Sequence, residues 1–519
     1  MRCASGCKDL EPEICGKSPA CSYTNGEKRR FCRLRRTYKM NKSDCKVSKK
    51  TSKNQKAVVI QQFMKKTTHK RRARFLSAVC SDSGLCYALG KYRAEIYKFF
   101  NGFVRFDYVS KPIVAIGEPS ANGFVKSIQY ERLGYKANTV LKSSAKASAD
   151  NLAYEYMVGM FLTKMGNRFP CFVQTYGLYY YKTHDAWMHA NGTASMRPNV
   201  LQNSLELHTT KRNLNAAIHD DVCSSSRYAA ILIQHFPNVR TLGDYMHNMS
   251  YDGTDWCNFT LKELIYILYQ IYMPLSVMSK IFTHYDLHDN NVLLYEPKPG
   301  KYVQYHYHLK DETVKFKSQF IVKIIDYGRA FYKDTEVQNL SSTDILKKTC
   351  LLDDCNDQED CGDHSGFRYL TNTLEPSTHY MSSAENNPSA DLRLLYLVNK
   401  TFNEHGANAG HGYCGPPALE EEAYEFVDMI LDRINFGLGL QPGQKKYGTK
   451  PMPLSGMPDT INNVSDAEDI LRYAISANVL AAFNESYFED WEKLCDIHVF
   501  SDGVSTMKVH MANAHTNRV

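Results

Sequence analysis

Two short acid-bearing segments restrict this chain more than any other feature. The first is His284-Tyr285-Asp286-Leu287-His288-Asp289-Asn290-Asn291, which runs into the apolar stretch Val292-Leu293-Leu294. The second is Ile321-Val322-Lys323-Ile324-Ile325-Asp326-Tyr327-Gly328. In the second, a buried apolar strand ends in an acid, an aromatic and a glycine, so Asp326 falls at a strand end and Gly328 permits the turn after it. The first follows a long apolar segment, Leu261 to Phe282, broken by Lys262, Glu263, Gln270 and Lys280. Those breaks make it a core helix and not a membrane span.

The spacing His-x-Asp-Leu-x-x-x-Asn suits phosphoryl transfer. One carboxylate must meet a hydroxyl, and an amide oxygen a short loop later must reach a magnesium ion on phosphates. Taken singly, each segment also reads as an ordinary turn; their order along the chain favours the chemical reading. Upstream, Ile116-Gly117-Glu118-Pro119-Ser120-Ala121-Asn122-Gly123-Phe124-Val125 joins two strands through a Gly/Ser/Asn turn whose backbone N–H groups could cover phosphates. It departs from Gly-x-Gly-x-x-Gly, and a plain hairpin is the alternative. Lys142 closes the apolar strand Thr139–Leu141. Glu155 lies within a helix expected over 149–164 and is its natural ion-pair partner, with Asp150 as the alternative.

The surrounding pattern is strands with one helix, followed mostly by helices. Short β-branched runs at 113–116, 123–125 and 139–141 read as antiparallel strands, and Tyr228–Phe236 reads as another. Tyr154, Met157, Val158 and Phe161 mark one face of the 149–164 helix. Thr241 is an N-cap candidate, and helical periodicity follows at 261–280, 389–400, 417–435 and 465–483. The fold class expected is α+β and bilobal, with a small antiparallel β-rich lobe and a larger helical lobe. The divisions expected are 1–50 (a Cys-rich basic module), 51–110 (a basic linker and short helices), 111–236 (the small lobe), 237–485 (the large lobe) and 486–519 (a tail). Residues 301–320 read as an irregular insertion and 333–385 as an irregular loop.

These segments, in this order, resemble the protein-kinase superfamily from about residue 113 to 395. Wording such as Ser120-Ala-Asn-Gly-Phe-Val and Asp150-Asn-Leu-Ala-Tyr-Glu-Tyr is similar to serine/threonine protein kinases of large nucleocytoplasmic DNA viruses. The resemblance implies a protein-kinase-like fold, ATP and Mg2+ as co-substrate and cofactor, and a protein substrate. It implies that Asp286 orients and deprotonates the attacking hydroxyl. Asn291 and Asp326 would hold the metal, and Lys142 with Glu155 would fix the phosphates. Gly117, Ser120 and Gly123 would form the phosphate lid; Gln234, His235 and Phe236 would form the strand and hinge that receive adenine. Asp391 falls where such kinases place a buried aspartate beneath the catalytic loop. His288 stands where serine/threonine kinases carry lysine, and no Ala-Pro-Glu follows Asp326, so the substrate side departs from the pattern. A scaffold that uses the fold without turnover (a pseudokinase or structural virion protein) and a small-molecule kinase are the other readings.

The 519 residues are 43% hydrophobic and 23% charged, a globular and not a disordered composition. The net charge of +8 is uneven: residues 1–74 hold 22 Lys/Arg against 5 Asp/Glu, leaving 41 against 50. That basic arm suits nucleic acid or an acidic partner, or is simply a solvated extension. Cys3, Cys7, Cys15, Cys21 and Cys32, with Cys45, lie within it; they contain no clean Cys-x2-Cys pair, and the first five could hold a structural Zn2+, with disulfides or unpaired thiols as the alternatives. The other cysteines are scattered, as expected for reduced thiols. The polar N-terminus lacks the apolar region of a signal peptide. The expected location is therefore the host cytoplasm, with packaging in the virion as a further expectation.

Overall fold

In a computed structural model the chain divides into two units, residues 1–77 and 78–519. The residues described are 13, 15, 21–26, 29–34, 76, 80, 85–120, 123–144, 152–210, 228–237, 239–248, 254–336, 341–349, 368–370, 378–380, 383–384, 386–409, 418–432, 461 and 463–512. In the first unit, β1 (Cys21–Gly26) and β2 (Arg29–Leu34) form an antiparallel hairpin. Cys21 lies opposite Leu34 and Cys32 opposite Tyr23. Cys15 is disulfide-bonded, so its thiol is not available as a zinc ligand. Cys3 and Cys7 lie outside the described residues. Among the described residues no group of three or more His, Cys, Asp or Glu is arranged to hold a metal.

The second unit is a mixed α/β body built around a curled antiparallel sheet. Alternating side chains from Ile113 to Ser143 form β3 (Ile113–Ser120), β4 (Gly123–Arg132) and β5 (Tyr135–Ser143). They are joined by β6 (Thr175–Tyr181), β7 (Ser195–Met196), β8 (Leu205–Thr209) and β9 (Ala229–His235) in the order β7-β3-β4-β5-β9-β6-β8. Helix α1 (Tyr92–Phe99) precedes this sheet; Phe99, Phe100 and Phe103 bury rings at its end, with Phe103 edge-on to Tyr130 at 5.0 Å. Cys80 and Cys86, next to it, form a disulfide, which corrects the expectation of reduced thiols at these positions.

Helix α2 (Leu152–Met165) is buried on nearly all sides, so its apolar residues do not form a single stripe. Gly159 lets it lie against the start of β6: a Cβ there would meet Thr175 Oγ1 at 2.2 Å. Glycine inside a helix costs about 1 kcal/mol relative to alanine, so close approach is the reason for it here.

The remaining residues form a largely helical region. Thr241 caps α3 (Leu242–His247), its hydroxyl accepting from Asp244 N at 2.9 Å. A π-helical turn, Thr260–Leu264, leads into α4 (Ile265–Val277), which is buried almost throughout. Three short pairs follow: β10 (Arg240–Thr241) and β15 (Ile321–Ile324) flank β12 (Val292–Tyr295), and β11 (Phe282–Thr283) pairs with β16 (Phe331–Tyr332). The short antiparallel pair β17 (Arg368–Leu370) and β18 (Thr378–Tyr380) precedes helices α5 (Arg393–Ala409), α6 (Ala418–Asp432), α7 (Val464–Ser476) and α8 (Asn478–Tyr487). The helix expected at 465–483 is broken at Ala477, whose ψ of 128° is extended. Among the described residues no helix is long and apolar enough to cross a membrane.

Two segments differ from their sequence reading. Residues 301–320 are not irregular: β13 (Lys301–His308) and β14 (Thr313–Ser318) form a hairpin. Part of the expected tail forms β19 (Glu492–Phe500), parallel to β13, and β20 (Lys508–Met511), antiparallel to β19. The periodicity explains both. Val303, Tyr305, Tyr307, Cys495, Ile497 and Val499 are buried, and their polar neighbours face outward, as in any half-buried sheet. The buried carboxylate of Glu263, whose pKa burial pushes up to about 8, anchors the hairpin by accepting from Ser318 Oγ at 2.7 Å and Gln319 N at 2.9 Å.

Two outcomes follow from this packing. Gly159→Ala should destabilise the protein by about 1–3 kcal/mol through overpacking, measured by urea unfolding, and Thr175→Ala in the same chain should recover part of the loss. The outer face of the four-stranded sheet carries His306, His308, His498 and His510, with His308 Nε2 and His498 Nδ1 2.9 Å apart. Burial, together with His306, His308 and His510, lowers the His498 pKa to about 4. The unfolded segment therefore binds its proton first, and stability is lost as pH falls from the ordinary histidine value near 6.5 towards 4. Lys315 and Lys508 add to the opposition around His308, and Asp496 bonds His306 at 3.1 Å. Hydrogen exchange of β19 and β20 should accelerate over that window, beyond the intrinsic pH effect, and His498→Gln should flatten the response.

Candidate active site

The site is assembled from three elements far apart in sequence. β5 carries Lys142 near its end, α2 carries Glu155 in its first turn, and Asp326 follows β15. Lys142 Nζ lies 2.7 Å from Glu155 Oε2 and 2.9 Å from Asp326 Oδ1. Burial alone would lower the lysine pKa, but Asp326 and Glu155 outweigh it and hold the ammonium protonated. Lys142 in turn keeps the Asp326 carboxyl below its usual range. Burial, aided by Asp326, pushes Glu155 up to about 7 against the pull of Lys142. Glu155 is therefore the buried anchor of the three, and Asp326 is the more exposed partner, with 37% of its side chain accessible.

Asp326 also has a φ of +66°, a left-handed backbone that a non-glycine residue rarely adopts. The segment is held there from both sides. Ile324 N donates to Cys171 O at 2.8 Å and Ile325 N to Asn291 O at 3.0 Å. The hydroxyl of the buried Tyr327 donates to Ile324 O and accepts from Val173 N.

The loop 284–291 is fixed by the residues beneath it. Asp391 accepts from His284 N at 2.8 Å (Oδ2) and from Tyr285 N at 2.9 Å (Oδ1). Its own carbonyl accepts from Tyr272 OH at 2.7 Å. Burial pushes the Asp391 carboxyl up to about 7, although both N–H donors pull it down. Tyr285 has a φ of +64°, the second left-handed non-glycine position of the site. His284 is fully buried, and burial lowers its pKa. In its neutral form Nε2–H donates to Ile325 O at 3.0 Å and ties this loop to the segment before Asp326. Asn291 Nδ2 donates to Asp286 O at 2.9 Å, which turns the amide so that Oδ1 is its remaining polar atom. The Asp286 carboxylate meets Arg393 Nη1 at 2.9 Å and has His288 Nε2 at 4.0 Å, both at Oδ1.

The other expected residues are placed as follows. Gly117 and Gly123 have φ of +65° and +115°, and the β3–β4 register shifts between Ile116 and Ser120, where Ser120 faces Gly123. A Cβ on Gly117 would meet nothing within 4 Å, so it is backbone conformation that requires glycine here. Ala121 and Asn122 lie outside the described residues, as does Asp150, the alternative partner of Lys142. Gln234 is buried and exchanges hydrogen bonds with the Gln174 backbone: its N donates to Gln174 O at 2.8 Å and its Oε1 accepts from Gln174 N at 3.2 Å. Phe236 packs on Tyr295 at 4.6 Å, with the Lys323 ammonium 5.0 Å from its ring. His235, whose pKa burial lowers, ends β9 opposite Asn138. Pro237 offers no N–H on the connection that follows.

Lys142, Glu155 and Asp326 thus converge; Asn291 is joined to the Asp326 segment by the backbone bond from Ile325 N, and Asp286 is linked to it through the Asn291 side chain. The sequence reading missed Arg393 and Tyr272. Arg393 stands two residues after Asp391, so the pattern Asp-x-Arg at a helix start was the available clue; nothing marked Tyr272 among the many tyrosines. The chain matches no known protein family model and no curated protein. Asp391→Ala would leave two buried N–H groups without an acceptor, each costing about 1–3 kcal/mol. Urea unfolding should show that loss, and Asp391→Asn, which keeps one acceptor, should lose less.

Proposed function

We propose that this chain is an ATP- and Mg2+-dependent phosphotransferase of protein-kinase-like architecture that acts on Ser/Thr hydroxyls of proteins. The carrying observation is the Lys142 ammonium clasped by Glu155 and Asp326, beside a loop whose Asp286 and Asn291 are tied to the Asp326 strand end. A buried cation that holds one carboxylate inside the fold and one near solvent suits the binding of a nucleotide's phosphates. Two left-handed non-glycine residues, Tyr285 and Asp326, sit in the two loops concerned. Such backbone outliers gather at functional sites, where the fold over-determines them.

The donor set fits magnesium. This ion usually takes one or two carboxylates and completes its shell with water and phosphate oxygens. Asp326 supplies a carboxylate, and Asn291 supplies an amide oxygen whose nitrogen is already engaged. Bound there, the metal would neutralise charge on the phosphates. Lys142 would hold the phosphates, and the β3–β4 turn from Gly117 to Gly123 would cover them with backbone N–H groups. Asp286 would accept a hydrogen bond from the acceptor hydroxyl, orient its oxygen towards the γ-phosphorus and take its proton as the new O–P bond forms and the bond to the departing ADP breaks. The protein acceptor rests on the resemblance read from segments 120–125 and 150–156.

The test is transfer of labelled γ-phosphate from ATP with magnesium to basic proteins, to the enzyme itself and to small hydroxyl compounds. Wild type should label protein. Asp286→Ala should reduce the rate by roughly 10^2–10^4-fold, the range for loss of a general base, and Asp326→Ala should abolish metal-dependent nucleotide binding. Labelling of small hydroxyl compounds alone would replace the protein acceptor, and absence of any transfer would sink the reading.

A further inference from the structure

Asp286 is not held by its backbone alone. Arg393 opens α5 directly after the turn that contains Asp391, and its Nη1 reaches Asp286 Oδ1 at 2.9 Å with both side chains largely buried. The segment 391–393 therefore grips the loop twice. The Asp391 carboxylate fixes the backbone of His284 and Tyr285, and the Arg393 guanidinium fixes the side chain of the next residue. Tyr272 locks the segment from below through the Asp391 carbonyl. An aspartate side chain has two rotatable bonds, and a hydrogen bond to one oxygen removes most of that freedom. Among the described residues, the partners of this carboxylate, Arg393 and His288, approach Oδ1, so Oδ2 is the oxygen left for a substrate hydroxyl.

We propose that Arg393 is a positioning residue that holds Asp286 in its reactive orientation and directs Oδ2 to the acceptor. The proposal rests on the phosphotransferase reading above. A carboxylate paired with a guanidinium is a weakened base, which is compatible with phosphoryl transfer: the loose transition state asks mainly for alignment of the attacking oxygen. Arginine suits the task better than lysine because its planar fork keeps a fixed direction at the carboxylate. Arg393 pairs with Asp286, whereas Lys142 is held by Glu155 and Asp326, so removal of the arginine should spare nucleotide binding.

The experiment compares wild type, Arg393→Ala and Arg393→Lys by phosphate transfer, by affinity for a fluorescent ATP analogue with magnesium, and by thermal unfolding. Arg393→Ala should lower kcat by roughly 100-fold, the scale of a small misplacement of a reacting group, with nucleotide affinity unchanged. Millimolar guanidinium ion should restore part of kcat in that variant and none in Asp286→Ala. Arg393→Lys keeps the charge and the stem, and it should remain folded with kcat between the other two. Rescue with intact nucleotide affinity is what a merely structural arginine would not give. Wild-type kcat in either variant would overturn the proposal, as would a loss that tracks nucleotide affinity. If wild type itself transfers no phosphate, the phosphotransferase reading fails first and this inference falls with it.

Discussion

A single ammonium group, that of Lys142, sets the arrangement on which the rest of the site depends. It is largely withdrawn from water and shared by two carboxylates, one on a helix and one beyond a strand end. A largely buried cation without partners would be unfavourable, and so would the buried Glu155 carboxylate alone. Lys142 and Glu155 therefore require each other, Asp326 adds a second, more exposed carboxylate, and each group fixes the element that carries it. Helix α2 must lie close enough to the sheet for Glu155 to reach, which is where Gly159 matters. The strand end must turn Asp326 towards the sheet, which is where its left-handed backbone matters.

A second network sits below the first and is built mainly of backbone groups. Asp391, Tyr272, His284 and the carbonyls of Ile325 and Asn291 join the loop 284–291 to the helical region and to the strand that precedes Asp326. The two loops are thus coupled through hydrogen bonds that do not involve the reactive side chains. That division leaves Asp286, Asn291 and Asp326 to present oxygen atoms while their main chain is held elsewhere.

The sequence was most informative where local pattern and chemistry coincide. The apolar runs before Asp326 and after Asn291 located β15 and β12, the 149–164 periodicity located α2, and Thr241 marked a real cap. The pairing of Lys142 with Glu155 was legible because both lie in strongly patterned elements. Arg393 was not, because its partner lies over a hundred residues away and its place two residues after Asp391 is the only local clue. The hairpin at 301–318 and strand 492–500 were missed because their Tyr, His and Lys residues look polar in a running average. Only the alternation with Val303, Tyr305 and Tyr307 on one face identifies them, and half of their pairing comes from the far end of the chain. The disulfide Cys80–Cys86 was missed because compartment, not spacing, governed the expectation.

The parallel pairing of β13 with β19 has a consequence for biosynthesis. Strand β13 is complete long before residues 492–500 leave the ribosome, so its second edge waits unpaired while the intervening helices are made. Parallel contacts of such long range form slowly, and an open edge backed by aromatic residues is a template for wrong partners. A chain shortened before Glu492 would retain every group of the site described above and still carry that exposed edge permanently. The last strands thus act as a cover for the second edge of β13, far along the chain from the residues of the candidate site.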